Sequence, residues 1–196
     1  MPTLLLGTTN PGKLRELRAL FALPGLDLVL PDQLGLLLEV AETGASYLEN
    51  AHRKAVAYAQ SGMVWALGDD TGLEVDALFG GPGLRSARVG ENDPHRRELL
   101  LASLAPHPRP WRARFRCALV LAGPQGSVDA AEGEVTGEIV PAARGQNGFG
   151  YDPIFLVDGA GKTMAELDDL EKNHTSHRAR AAQRLLPTLK ARLGLE

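Results

Sequence analysis

The sequence predicts an α/β fold, and three observations carry that prediction. Short apolar runs alternate with amphipathic helical stretches in the first half of the chain. Two long strand candidates follow one another in the second half, so the sheet is expected to be mixed. No repeat, charge run or linker breaks the 196 residues, which are read as a single domain, 1–196, of two lobes.

Residues Thr3–Thr8 form an apolar run ending in a polar turn, as a buried strand does. Asn10-Pro11-Gly12-Lys13 then carries a helix start, with Asn as N-cap and Pro at the first helical position. Leu14, Leu17, Leu20 and Phe21 follow at helical spacing, and Leu26–Leu30 completes a β-α-β unit. A capping box at Ser46-Tyr47-Leu48-Glu49 opens a second helix to about Gln60. Val64–Leu67 reads as a strand stopped by Gly68-Asp69-Asp70-Thr71-Gly72, and Gly80-Gly81-Pro82-Gly83 as an irregular loop. Asp93-Pro94 begins another helix, with Leu99, Leu100 and Leu104 on its buried stripe. Ala113–Ala122 and Ser127–Val140 are long strands joined by the turn Gly123-Pro124-Gln125-Gly126. Tyr151–Val157 is a further strand, and a final helix from near Ser176 to Leu193 is expected to kink at Pro187.

Composition narrows the function. Hydrophobic and charged fractions of 44% and 23% are those of a soluble globular chain. A net charge of −3 disfavours a nucleic-acid polymer as partner. A single cysteine, Cys117, excludes an intramolecular disulfide and a multi-cysteine zinc site. No apolar run nears the ~20 residues needed to cross a bilayer. Met1–Gly7 lacks the basic leader of a signal peptide, so a cytoplasmic location without membrane partners is expected.

Gly7-Thr8-Thr9-Asn10-Pro11-Gly12-Lys13 fills the first seven places of a P-loop, but Leu14 stands where a metal-binding hydroxyl is required. A P-loop is therefore a poor reading, yet the logic of anion binding at a helix mouth survives. Lys13 sits in a first turn where the helix dipole disfavours a cation, which makes sense if an anion occupies the gap. A plain strand–helix turn with a solvated lysine is the other reading. Asp69 and Asp70 end a predicted strand, where alternation sends adjacent side chains to opposite faces. Beside a phosphate site such acids suggest magnesium, with Glu42 and Glu49 completing the set; alternatively the two Asp residues cap a turn. Phe149, flanked by glycines in Gly148-Phe149-Gly150-Tyr151-Asp152, suits stacking on a planar base or plugging a core. His177 and Arg178 put two donors in the first turn of the last helix, again against the dipole unless an acceptor compensates, with Lys172 just upstream.

Together these segments resemble the inosine triphosphate pyrophosphatase family over nearly the whole chain. The motifs are Thr8-x-Asn10-x-x-Lys13, Glu42-Thr43-Gly44, Glu49-Asn50-Ala51 and Asp69-Asp70-Thr71-Gly72. Pro82-Gly83 with Ser86-Ala87-Arg88, then Phe149-Gly150-Tyr151-Asp152, Lys172 and Ser176-His177-Arg178, complete the set. The resemblance implies an elongated two-lobed fold, a central mixed sheet flanked by helices, an active site in the cleft between lobes, and a homodimer. It further implies Mg²⁺-dependent hydrolysis of ITP, dITP and XTP to the monophosphate and pyrophosphate. On that basis substrate contacts are expected from Thr8, Thr9, Asn10, Pro11, Gly12, Lys13, Thr71, Phe149, Gly150, Tyr151, Asp152, Lys172, His177 and Arg178. Asp70 is the expected general base or metal ligand and Glu42 the second ligand, with Asp69 and Glu49 as lesser candidates. Two rival readings stand beside it: a Maf-like nucleotide pyrophosphatase with different base specificity, and a nucleotide-binding module without turnover.

Overall fold

The computed structural model describes residues 1–196. Seven strands form one mixed sheet, in the order β2-β1-β3-β5-β6-β7 with β4 on β3. The chain divides into two compact units, each best taken separately. The first comprises Met1–Asp70, Cys117–Gly133 and Arg178–Glu196; the second comprises Thr71–Arg116 and Glu134–His177.

In the first unit, β1 (Thr3–Leu6) is parallel both to β2 (Asp27–Val29) and to the opening residues of β3 (Trp65–Val75). Between β1 and β2 lies α1 (Pro11–Leu20), whose N-cap Asn10 accepts from the Lys13 amide at 3.0 Å, with Pro11 in the first turn. α2 (Tyr47–Gly62) starts at Ser46, whose hydroxyl caps Glu49 N at 3.1 Å. α5 (His177–Leu193) runs on through Pro187 and sets Ala181, Ala182, Leu185, Leu189 and Leu193 into a core with Leu4, Leu6, Leu17 and Phe21. Each such leucine contributes roughly 1.5–3 kcal/mol by leaving water.

The second unit holds β4 (Gly81–Gly83), antiparallel to the end of β3, and α3 (Asp93–Leu104). It also holds the opening of β5 (Trp111–Ala122), the end of β6 (Val128–Ile139), β7 (Phe155–Val157), antiparallel to β6, and α4 (Asp169–Thr175). Its core gathers Leu100, Leu104, Trp111, Phe115, Tyr151, Phe155 and Met164.

Four local expectations are corrected. Gly68–Gly72 is not a stop but the middle of the eleven-residue β3. Turn-forming Asp residues bond their own neighbouring backbone; here both carboxylates are drawn to partners on other elements. Gly81–Gly83, expected as a loop, pairs with β3. Tyr151–Val157 opens with a 3-10 turn at Asp152–Ile154, and only Phe155–Val157 is extended. Finally, α4 was not anticipated; Asp168 and Glu171 cap it reciprocally, a box hidden within an acidic stretch.

Gly68 is the closest approach in the first unit. A Cβ there would lie 2.1 Å from Ala51 O and 2.8 Å from Ala55 N, so only a glycine lets α2 lie this close to β3. Gly68→Ala is expected to destabilise the protein by about 1–3 kcal/mol through overpacking, read from urea unfolding.

Candidate active site

Strand alternation parts the two adjacent acids of β3. Asp69 is fully buried and receives Arg178 Nε at 2.7 Å on Oδ2, with Lys13 Nζ 2.5 Å from Oδ1. Arg178, only 1% exposed, also donates through Nη1 to Glu16 of α1, and Cys117 Sγ lies 3.6 Å from Asp69 Oδ2. Two cations and two carboxylates from α1, β3 and α5 thus form one charge-balanced group, buried except at Lys13. Burial by itself would raise the Asp69 pKa, but Arg178 and Lys13 outweigh it and hold the carboxyl well below its ordinary range.

Asp70 meets a different set. Its Oδ2 accepts from Asn50 Nδ2 at 3.0 Å, and its Oδ1 is 3.7 Å from Lys54 Nζ. Asn50 is bonded at both ends, because its Oδ1 accepts from Gly44 N at 2.8 Å. Lys54 Nζ lies 2.6 Å from Glu42 Oε1 and also donates to the carbonyl of Asp69. Burial raises the Asp70 pKa despite the attraction of Lys54 and Lys13. A carboxylate with raised proton affinity, held at one oxygen by an amide, is suited to accept a proton.

The structure brings Glu42 and Asp70 to one point, around a lysine that the sequence motifs do not mark. Asn50 and Lys54 fall on the buried stripe of α2 with Tyr47, Ala51, Ala55, Tyr58 and Ala59. An amide and an ammonium four residues apart on an apolar stripe were the available signal. Glu16 is the other omission, and nothing in its local sequence marks it as buried. Glu49 is exposed and accepts from Ala45 N at 2.8 Å, so it serves the start of α2.

No three His, Cys, Asp or Glu side chains gather where they could hold a metal ion. Two carboxylates converging on one cation position nevertheless fit magnesium, which is usually held by one or two carboxylates together with substrate phosphates and water.

The second unit contains its own cluster. Asp152 Oδ2 accepts from Lys172 Nζ at 2.6 Å and from Phe149 N at 2.9 Å, and Lys172 Nζ lies 5.6 Å from the Phe149 ring centroid. A Cβ on Gly148 would stand 2.0 Å from Asp152 Oδ2, and its φ of +80° also calls for glycine. Gly150 donates to Asp93 at 2.7 Å, and the Tyr151 hydroxyl donates to Ser86 O at 3.0 Å, with burial pushing its pKa up to about 12. The His177 ring stacks on Phe115 with centroids 4.8 Å apart. Arg178, expected beside Lys172 and His177, has its guanidinium on Asp69 and Glu16 instead. Thr8 and Thr9 line the β1–α1 turn while Pro11 and Gly12 open α1, Thr9 and Pro11 exposed and Thr8 and Gly12 half-buried, and Thr71 follows Asp70 on β3.

A family model described as the Ham1 family matches residues 4–188. The chain belongs to the Ham1 family. Among curated members, the dITP/XTP pyrophosphatase of Gloeobacter violaceus is 49% identical over 188 residues, spanning 95% of this chain and 93% of that protein. The dITP/XTP pyrophosphatase of Bacillus subtilis is 42% identical over 195 residues, spanning 97% and 98%. The structure of the Staphylococcus aureus Ham1 protein superposes with a TM-score of 0.85 at 37% identity, covering 97% of this chain and 99% of that one. A Ham1 protein from Coxiella burnetii gives 0.87 at 34% identity, covering 97% and 100%.

Asp69→Asn should cost about 3–5 kcal/mol in chemical denaturation at neutral pH, because the buried Arg178 and the half-buried Lys13 then lose the carboxylate they share. The Asp69 pKa is depressed by folding, so its contribution is complete above the ordinary carboxyl pKa of about 4 and drains away as pH falls below it. Wild-type stability should accordingly fall more steeply below about pH 4 than that of Asp69→Asn.

Proposed function

We propose that this protein is a magnesium-dependent nucleoside triphosphate pyrophosphatase that hydrolyses ITP, dITP and XTP to the monophosphate and pyrophosphate, clearing non-standard purines from the nucleotide pool. The observation that carries this reading is Asp70, a buried carboxylate with raised proton affinity, oriented by Asn50 and flanked by Lys13 and Lys54. The dITP/XTP pyrophosphatase names of relatives up to 49% identical support the substrate class.

In this reading Asp70 takes the proton of the water that attacks the α-phosphorus. Lys13 has three N–H donors, two of them accounted for by the carboxylate and carbonyl of Asp69; the third is left for a phosphate oxygen. The β1–α1 turn with Asn10 positions the phosphate chain at the mouth of α1. Glu42 and Asp70 would hold Mg²⁺, which supplies charge neutralisation on the phosphates and polarises the attacking water. Arg178 and Glu16 act from behind, fixing the carboxylate on which Lys13 rests.

In the same reading, Phe149 and its neighbours recognise the base. Phe149 offers a ring for stacking, and Lys172 and His177 offer donors to its edge. Hypoxanthine and xanthine carry an acceptor oxygen at C6, whereas adenine presents an amino donor to the same groups. Guanine shares that oxygen, so its exclusion must use the amino group at C2. The enzyme is read as a cytoplasmic homodimer acting on small molecules; no helix of the structure is long and apolar enough to cross a membrane.

The test is product analysis with ITP, dITP, XTP, GTP, ATP and dTTP, with and without magnesium. Pyrophosphate from ITP, dITP and XTP alone is expected. Turnover of dTTP would instead favour a Maf-like specificity, and no product from any nucleotide a binding module. Asp70→Asn should lower kcat by about 10²–10⁴-fold while dITP binding persists. His177→Ala should narrow the preference for ITP over ATP; an unchanged ratio would place the reading of the base elsewhere.

A further inference from the structure

Lys54 occupies the place a divalent cation would need. Its ammonium lies 2.6 Å from Glu42 Oε1 and 3.7 Å from Asp70 Oδ1, and it donates to the Asp69 carbonyl. Those two carboxylates are the pair assigned to magnesium, so the inference rests on that assignment. A magnesium ion coordinates carboxylate oxygen at about 2.0–2.1 Å. It would stand in close repulsive contact with this ammonium, in surroundings that water screens poorly: the Lys54 side chain is 9% exposed and that of Asp70 likewise 9%.

Glu42 is also carried on an unusual support. Residues 35–44 form neither helix nor strand, and the segment is tied to α2 through side chains. Tyr58 OH donates to Leu38 O at 3.2 Å, Lys54 holds Glu42, and Asn50 accepts from Gly44 N. The three helix positions are four residues apart and so lie in one row along α2. Lys54 supplies the middle tie, and in doing so draws the acids of two separate segments to a single point without leaving like charges facing each other.

We propose that Lys54 is an internal placeholder cation: it assembles Glu42 and Asp70 in the nucleotide-free enzyme and excludes divalent metal from them until it is displaced. A metal ion arriving with a triphosphate brings anionic oxygens that can take up the displaced ammonium; a metal ion arriving alone brings none. Metal binding is therefore conditional on nucleotide, and Lys54 is the positioning residue that makes it so.

The test uses nucleotide-free protein and Mn²⁺ as the probe, with binding followed by electron paramagnetic resonance. Lys54→Met is expected to bind Mn²⁺ at least about five-fold more tightly than the wild type, the low end of ordinary coupling between sites. The gain should vanish in Lys54→Met combined with Glu42→Gln. Equal or weaker binding by Lys54→Met, with Glu42→Gln still weakening the wild type, overturns the placeholder while leaving the metal assignment intact. Binding indifferent to Glu42→Gln in every background overturns both. A measurement on the wild type alone keeps the question decidable should Lys54→Met not fold. Mn²⁺ alone should leave reductive methylation of Lys54, followed by mass spectrometry, unchanged, whereas Mn²⁺ with a non-hydrolysable triphosphate should change it, because only then does the amine leave its oxygen cage. A change with Mn²⁺ alone, or none with Mn²⁺ and the triphosphate together, counts against the proposal.

Discussion

Asp69 brings one full negative charge into a place with no solvent exposure, and most of the first unit's polar architecture follows from balancing it. Arg178 alone would leave the group neutral, but Lys13 adds a second positive charge and Glu16 a second negative one. Such a set is tolerable inside a protein only when every member is present, since each ion's desolvation is offset by its neighbours. The arrangement fixes α1, β3 and α5 to one another through side chains from all three. It also fixes what Asp70 can do. With Asp69 committed to one side of β3, strand alternation delivers Asp70 to the other, where Asn50 and Lys54 of α2 await it.

The elements that rest on local chemistry were legible in the sequence. Asn10-Pro11 and Ser46 start helices where their capping chemistry says they should, and β5 and β6 flank the turn at Gly123–Gly126. The α/β class and mixed sheet followed from the order of these pieces. What failed was the stretch Gly68–Gly72, because its composition is that of a turn while its conformation is set by distant partners. A glycine flattened against Ala51 O and two acids with buried counter-ions make an extended strand that no local window reveals.

The site divided along the same line. Glu42, Asp70, Lys13 and the Phe149–Asp152–Lys172 group come from motifs compact enough to be quoted, and the structure gathers them into clusters. Lys54 and Glu16 were not seen because each lies in an amphipathic helix where a charged residue ordinarily means a solvated face. Burial of both is a tertiary fact. The polar pair Asn50 and Lys54 on the buried stripe of α2 carried a detectable signal; Glu16 carried none.

The misplaced cations at two helix starts show how far such a signal reaches. Lys13 and Arg178 each sit where the helix dipole opposes them, and each demanded an acceptor. The demand was real in both cases, and Asp69 answers both. Sequence cannot distinguish an acceptor supplied by the protein from one supplied by a ligand, but exposure does. Arg178 is sealed at 1% of its surface, with its guanidinium on the internal carboxylates of Asp69 and Glu16. Lys13 keeps 14% of its side chain accessible, so it rests on Asp69 and can still meet a phosphate. One buried carboxylate thus holds two similar-looking cations in different settings, Arg178 sealed among packed side chains and Lys13 open to solvent.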